Sequence, residues 1–143
     1  QQSAKAGARM DGILLVNFID FLVDFVISII LVALYLAVYT FATTHNEFEL
    51  IRRNVISAAL SLGLSLIGFA LPLSSAIVNT TTVLALVLWG IIALVVQIIV
   101  YWLVRILVPN LTGRIAQGEI AAACLLGAAS LSAGIINAAC MTF

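Results

Sequence analysis

Four long apolar segments constrain this chain more than any other feature. They cover about residues 13–41, 55–73, 83–108 and 115–141. An α-helix needs about 20 apolar residues to cross a bilayer, and each segment meets or approaches that length. Only 8% of the 143 residues are charged, against about 25% in soluble domains. The exposed surface must therefore face lipid, and we predict an all-α integral membrane four-helix bundle.

The order of segments indicates an internal repeat. A helix of bulky residues, a charged loop and a helix of small residues follow one another twice. A two-helix unit returns the chain to its starting side, so both copies share one orientation. We predict two tandem helical hairpins, residues 10–78 and 79–143, related by a pseudo-two-fold axis along the membrane normal. The polar lead, residues 1–9, lies before them and is expected to be flexible or a non-native extension.

The distribution of arginines predicts the orientation. Four spans place the charged loops, residues 42–54 and 105–119, on one side, and both termini on the other. Positively charged residues favour the cytoplasmic side. The charged loops are therefore predicted to be cytoplasmic and both termini periplasmic, with Lys5 and Arg9 as the opposing charges. The cytoplasmic loops contain Arg52, Arg53, Arg105 and Arg114.

Three polar residues inside the apolar segments form a candidate intramembrane site. Asp20 and Asp24 are four positions apart in the first segment, so they share one helix face. A carboxylate within a bilayer costs at least about 2.5 kcal/mol and usually faces a cavity or a partner. With Gln97 of the third segment, they could bind a proton or a cation. Alternatively, the Asp pair faces headgroups or a subunit contact, and Gln97 forms an interhelical hydrogen bond.

The first charged loop contains a second candidate site. His45 with Glu47 and Glu49 could bind a metal or sense pH, although a lone histidine in a polar loop is more often simply solvated. A short interfacial helix over residues 47–53 is also expected. The residues expected to contact headgroups or a docked partner are His45, Glu47, Arg52, Arg53, Arg105 and Arg114. No metal-ligand spacing occurs in the sequence, and we predict no metal and no cofactor.

Smaller features predict how the helices end and pack. Pro72 marks the end of the second helix or a kink, and residues 109–114 read as a turn. Arg105 and Glu119 could pair across the second loop. Small residues at four-residue spacing in the second and fourth helices let backbones approach closely. They are predicted to pack against each other within one subunit; a homo-oligomer contact is the alternative.

Several blocks of sequence resemble a known family. They are THNEFELIR (44–52), PLSSA (72–76), WGIIALVVQ (89–97), VR (104–105) and NAACMT (137–142). Together they resemble the YjfL family of small bacterial inner-membrane proteins, built from two copies of a domain of unknown function. The resemblance covers about residues 13–143. It implies a bacterial inner membrane, four helices and an association with envelope-stress systems, and it supplies no catalytic residues.

These observations lead to one functional hypothesis and one alternative. We expect a non-enzymatic membrane component, a scaffold or partner subunit that presents its charged loops to a peripheral envelope-stress protein. It is expected to form a homo-oligomer and not to bind nucleic acid, since its net charge is zero. The alternative is a small ion, proton or solute transporter or channel formed by an oligomer, with Asp20, Asp24 and Gln97 on its path. An enzyme is disfavoured because no nucleophile–base pair is evident.

Overall fold

A computed structural model describes residues 1–42 and 47–142, with the side chain of Glu47 left undescribed. The chain forms six helices in this part, and no strand occurs there. Four of them are long and apolar enough to cross a membrane, which confirms the predicted all-α membrane bundle. They are α1 (Gln2–Ala42), α3 (Ile56–Asn79), α4 (Val83–Leu107) and α6 (Ile120–Cys140). The two short helices are α2 (Glu47–Arg52) and α5 (Leu111–Ala116).

The bundle has two distinguishable ends. The arginine end carries α2, α5 and the arginines Arg52, Arg53, Arg105 and Arg114. The loop end carries residues 80–82, which join α3 to α4. Helices α3 and α4 have 24 and 25 residues, so each is roughly 36–38 Å long at 1.5 Å per residue. That length covers the ~30 Å hydrocarbon core with one turn to spare at the ends.

Helices α3 and α6 form the closest contact in the bundle. A Cβ built on Gly134 would lie only 2.7 Å from the carbonyl carbon of Gly68, and one on Gly68 would lie 2.7 Å from that of Ser130. The hydroxyls of Ser65 and Ser130 are 3.3 Å apart across the same contact. The prediction that the small-residue faces pack against each other within one subunit is therefore confirmed. Backbone approach of this kind needs glycine because any side chain would occupy the contact.

Helix α1 lies at the edge of the bundle and extends far beyond it. Of its 41 residues only Leu31, Tyr35 and Tyr39 are buried. The helix begins at Gln2, so the predicted polar lead is helical. Asp20 and Asp24 lie at the level of residues 80–82. The 18 residues from Gln2 to Ile19 therefore extend roughly 27 Å past the loop end.

The structure differs from the predicted helix ends at three places. Helix α3 runs through Pro72 to Asn79, six residues past its predicted end. The turn predicted at residues 109–114 contains α5, because Leu111 and Ile115 are buried and hold a helical turn against the bundle. Helix α6 begins at Ile120, after a break at residues 117–119. The short helix predicted at residues 47–53 is present as α2.

The two junctions at the arginine end have the same backbone geometry. Asn54 follows α2 with φ of 63°, and Gly118 follows α5 with φ of 90°. The N–H of Asn54 donates to Ile51 O, and that of Gly118 donates to Ile115 O. In each case the next N–H donates to the carbonyl five residues back, which completes a Schellman motif. The left-handed position explains Gly118, since glycine adopts it without steric cost.

Candidate functional site

A buried amide lies where α3, α4 and α6 meet. Gln97 of α4 is 2% exposed. Its Nε2 donates to Gly68 O of α3 at 2.9 Å and to Ser130 O of α6 at 3.1 Å. Its Oε1 is buried and accepts no hydrogen bond from the described residues. Gln97 thus joins three spanning helices through one side chain, in agreement with the interhelical bonding considered for it.

Proline at position 72 explains why Gly68 needs this donor. An α-helical carbonyl accepts the N–H of the residue four positions later, and Pro72 has no N–H to give to Gly68 O. An unpaired carbonyl in lipid costs several kcal/mol. Gln97 supplies the missing donor from α4. This bond allows α3 to continue through Pro72 to Asn79.

Aromatic side chains attach α1 to this centre. Tyr35 stacks on Phe69 of α3 with ring centroids 4.6 Å apart, and its hydroxyl donates to Ser65 O at 3.3 Å. Tyr39 meets the edge of Tyr101 of α4 at 5.9 Å. Gly90 also lies in the contact between α1 and α4, where a Cβ would lie 2.7 Å from Leu31 Cδ1. The middle of the bundle is therefore filled by packed side chains.

Asp20 and Asp24 lie at the loop end, apart from Gln97. Asp20 is exposed and Asp24 is half-buried. Both line a cavity of about 310 Å³ with Thr80, residues 81 and 82, Val23 and Val83. Val83 starts α4 and Gln97 lies 14 residues further along it, so the aspartates are roughly 21 Å from the amide along the helix axis. The structure does not bring the three predicted intramembrane residues together.

The arginine end is covered by local charge pairs. Arg53 Nη2 lies 2.6 Å from Glu49 Oε1, one turn apart on the chain. Arg114 pairs with Glu119. Arg105 lies over the ring of Trp102 at 5.1 Å. The predicted pairing of Arg105 with Glu119 is therefore wrong, because Glu119, three residues after the end of α5, pairs with Arg114 instead.

The predicted loop site lies partly outside the described residues. His45 lies outside the described residues, and the side chain of Glu47 is also outside them. Arg52 is exposed at the end of α2. Among residues 1–42 and 47–142, no three His, Cys, Asp or Glu side chains come close enough to hold a metal ion. Cys124 and Cys140 of α6 are both exposed free thiols.

Sequence reasoning missed the relation between Pro72 and Gln97. The two residues are 25 positions apart, and only the folded bundle shows that the carbonyl freed by the first lies beside the second. A signal was present, because a proline inside an apolar segment and a buried amide in the next one are complementary in lipid. The sequence also showed Ser65 and Ser130 only as members of two small-residue stripes, and it did not indicate that their hydroxyls are in contact.

The packed core, the four spanning helices and the charged end define a class of protein: a polytopic α-helical membrane protein with a closed single-subunit bundle. The chain belongs to the family DUF350, Domain of Unknown Function, whose model matches residues 13–141. It is 41% identical over 110 residues to the UPF0719 inner membrane protein YjfL of Escherichia coli strain K12, covering 77% of this chain and 83% of that protein. The same values relate it to YjfL of Escherichia coli O157:H7. No solved structure matches the chain significantly.

Proposed function

We propose that this protein is a non-enzymatic subunit of the bacterial inner membrane whose arginine end docks a peripheral protein on the cytoplasmic side. The observation that carries the proposal is the contrast between the two parts of the bundle. The centre is filled by packed residues, with Phe69 and Leu126 fully buried. The arginine end carries two surface helices and exposed charges. The names of the relatives support the inner-membrane location.

The chemistry of the arginine end fits a protein partner better than a bare lipid surface. The charged loops hold four arginines and three glutamates, so their formal charge is only +1. Anionic headgroups are attracted by clusters of several unpaired cations, whereas here Arg53 and Arg114 are paired with glutamates. Phe48 on α2 is 45% exposed beside these pairs. Aromatic side chains and arginine are enriched at protein interfaces, which are surrounded by a polar rim. We propose that this partner is a peripheral envelope-stress protein, as the family resemblance implies.

Site-specific cross-linking in cells tests this docking role. A photoreactive residue in place of Phe48 is expected to give a defined protein adduct. The double variant Arg52→Ala with Arg53→Ala is expected to reduce the adduct yield about tenfold, because charged residues at an interface speed the encounter of the two proteins and fix their alignment. Lys5→Ala with Arg9→Ala is the matched control, since it removes the same charge from the opposite end. Equal adduct yield in all variants, or no adduct, would contradict docking at this end.

The same preparations distinguish the transporter or channel alternative. We infer that a single subunit does not conduct, because Tyr35, Phe69 and Gln97 fill the route between the two ends. An oligomer would have to form the path between copies. Proton or cation flux through liposomes holding the purified protein, abolished by Asp24→Asn, would support that alternative and overturn the scaffold proposal.

We also propose that the chain consists of two tandem hairpins, residues 10–78 and 79–143, related by an axis along the membrane normal. The spacing of 64 residues between the starts of α2 and α5, and again between those of α3 and α6, supports this. The matching Schellman motifs at Asn54 and Gly118 add a second, independent correspondence. Two copies of one unit that pack on each other through α3 and α6 would explain the closed bundle.

Cysteine labelling in intact cells tests the proposed orientation. In a background with Cys124→Ser and Cys140→Ser, Thr81→Cys is expected to react with a membrane-impermeant maleimide added outside the inner membrane. Arg53→Cys is expected to react only after the membrane is opened, because the arginine end is cytoplasmic in this proposal. The reverse pattern would show that Lys5 and Arg9 determine the orientation instead.

A further inference from the structure

The part of α1 just past the loop end, residues 13–19, is apolar on almost every side; we call it the projecting segment. Its large apolar side chains, from Ile13 to Ile19, are 50–63% exposed. The segment is roughly 10 Å long. Contiguous apolar surface that remains exposed to water usually marks an interaction site. The projecting segment therefore needs a cover that a single chain does not supply.

The bilayer does not reach the projecting segment while it also encloses the bundle. Residues 80–82 are three consecutive threonines and lie beside Asp20 and Asp24 at the loop end. Polar groups of this kind mark the level at which spanning helices leave the hydrocarbon core. The apolar stretch of α1 from Ile13 to Phe41 is roughly 44 Å long, against a core of ~30 Å. To fit within that core, α1 would have to tilt by about 45°, beyond the usual range of roughly 0–40°.

One face of α1 is directed away from the bundle. Leu22 and Val26 precede the buried Leu31 and Tyr35 by nine positions each, and nine residues make two and a half turns of an α-helix. The two pairs therefore lie on opposite sides of α1. Leu31 and Tyr35 pack on the bundle, whereas Leu22 and Val26 are exposed. A partner can contact this outer face without any change in the bundle.

The outer face has the repeat of a two-stranded coiled coil. Its exposed apolar residues alternate at spacings of four and three: Leu15, Ile19, Leu22, Val26 and Ile29. This spacing averages 3.5 residues and defines a and d positions. Ile19 and Val26 fall at a, and Leu15 and Leu22 fall at d. β-Branched residues at a with leucine at d favour a parallel pair of helices.

We propose that two copies of this chain pair in parallel through the outer faces of their α1 helices, from Leu15 to Ile29. Copies inserted in the same orientation carry the projecting segment at the same height, so each offers the other an apolar surface outside the bilayer. The two-fold axis runs along the membrane normal, and the two bundles lie on the far sides of the pair. Asp20 and Asp24 lie on the bundle side of α1, away from a contact in which like charges would repel.

Disulfide cross-linking in membranes tests the contact. In a background with Cys124→Ser and Cys140→Ser, Leu15→Cys is expected to form a covalent homodimer on mild oxidation, because equivalent d positions face each other in a parallel pair. Asn17→Cys is the matched control, since Asn17 is also exposed but lies five turns before Tyr35, on the bundle side. Its dimer yield is expected to be at least about tenfold lower, because a disulfide needs Cα atoms within about 7 Å. Equal yields at the two positions overturn the proposal.

Association in detergent tests the contact without a cross-link. Ile19→Asp places two like charges at the contact and is expected to raise the dimer dissociation constant at least about tenfold in sedimentation equilibrium. Ile13→Asp is the matched control, because Ile13 lies five turns before Leu31 on the bundle side and is similarly exposed. Its dissociation constant is expected to stay within about twofold of that of the unmodified chain. A chain that is monomeric at every concentration, or equal effects of the two substitutions, overturns the pairing.

Two further outcomes would identify a different cover for the projecting segment. Quenching of a fluorophore attached at Leu15→Cys by lipids with brominated acyl chains would show that the bilayer encloses it. A cross-linked adduct of Leu15→Cys with another protein, in place of the homodimer, would identify a foreign partner. Either result overturns the second copy as the occupant, and neither affects docking at the arginine end, which is tested separately at Phe48.

Discussion

Gly134→Ala is expected to destabilise the bundle by about 3 kcal/mol, the upper part of the usual range for overpacking. The added methyl group would overlap the backbone of Gly68, with its carbonyl carbon and Cα both 2.7 Å away. Backbone atoms in the middle of a spanning helix cannot move aside as a flexible side chain can. The free energy of unfolding in mixed micelles of increasing denaturing detergent, followed by circular dichroism, measures the effect.

Gly63→Ala is the matched control for this substitution. It adds the same methyl group to α3, but at a position where a Cβ would meet nothing within 4 Å. The free energy of unfolding of Gly63→Ala is expected to stay within about 1 kcal/mol of that of the unmodified chain. Any change is expected to be an increase, since alanine has a higher helix propensity than glycine. Equal loss of stability at positions 134 and 63 would show that the close contact of α3 with α6 is not what holds the bundle.

Gln97→Leu is expected to cost about 2 kcal/mol, because it leaves the carbonyl of Gly68 unpaired in a buried, lipid-enclosed position. Ser130 O suffers less, since the N–H of Gly134 serves it within α6. Pro72→Ala restores the N–H that Gly68 O lacks in α3. In the double variant, Pro72→Ala with Gln97→Leu, the loss of unfolding free energy is therefore expected to be about 1 kcal/mol smaller than the sum of the losses in the two single variants.

A double-mutant cycle measured by the same unfolding assay checks this coupling. Gln97→Glu is a useful companion, because a protonated carboxylic acid keeps one donor and should retain part of the stability at low pH. Strict additivity of Pro72→Ala and Gln97→Leu would mean that the proline does not determine the need for the amide.

The spans and their packing partners were largely predictable. Segment length and apolar content predict four crossing helices, because an apolar segment of this length satisfies all its backbone hydrogen bonds within itself only as an α-helix. The small residues of the second and fourth segments predicted the contact between α3 and α6. The continuation of α3 through Pro72 was not predictable from its own segment, since the compensating donor lies on α4.

The candidate sites were less predictable than the fold. The spacing of Asp20 and Asp24 correctly placed them on one helix face, yet it contained no information on depth. Because α1 is longer than a membrane span, the two aspartates could lie either in the middle of the membrane or at its surface. In the structure they lie beside residues 80–82, which join α3 to α4, and therefore at the loop end. Gln97 was predicted to lie within a membrane span, but its partners are backbone carbonyls that every sequence contains. Sequence patterns do not show which carbonyl has lost its own donor.

Local properties of the chain therefore determined which segments cross the membrane, where charge gathers and which helix faces are narrow enough for close contact. These properties follow from the free energy of transferring each side chain from water to lipid and from side-chain size. They can therefore be predicted from residues that are close together in the sequence. Only the tertiary structure decided that α1 extends past the bundle, that Gln97 completes the hydrogen bonding of α3 at Pro72, and that Asp20 and Asp24 lie beside residues 80–82. Each of these depends on how two helices align along their axes, and that alignment is set by contacts between residues far apart in the chain.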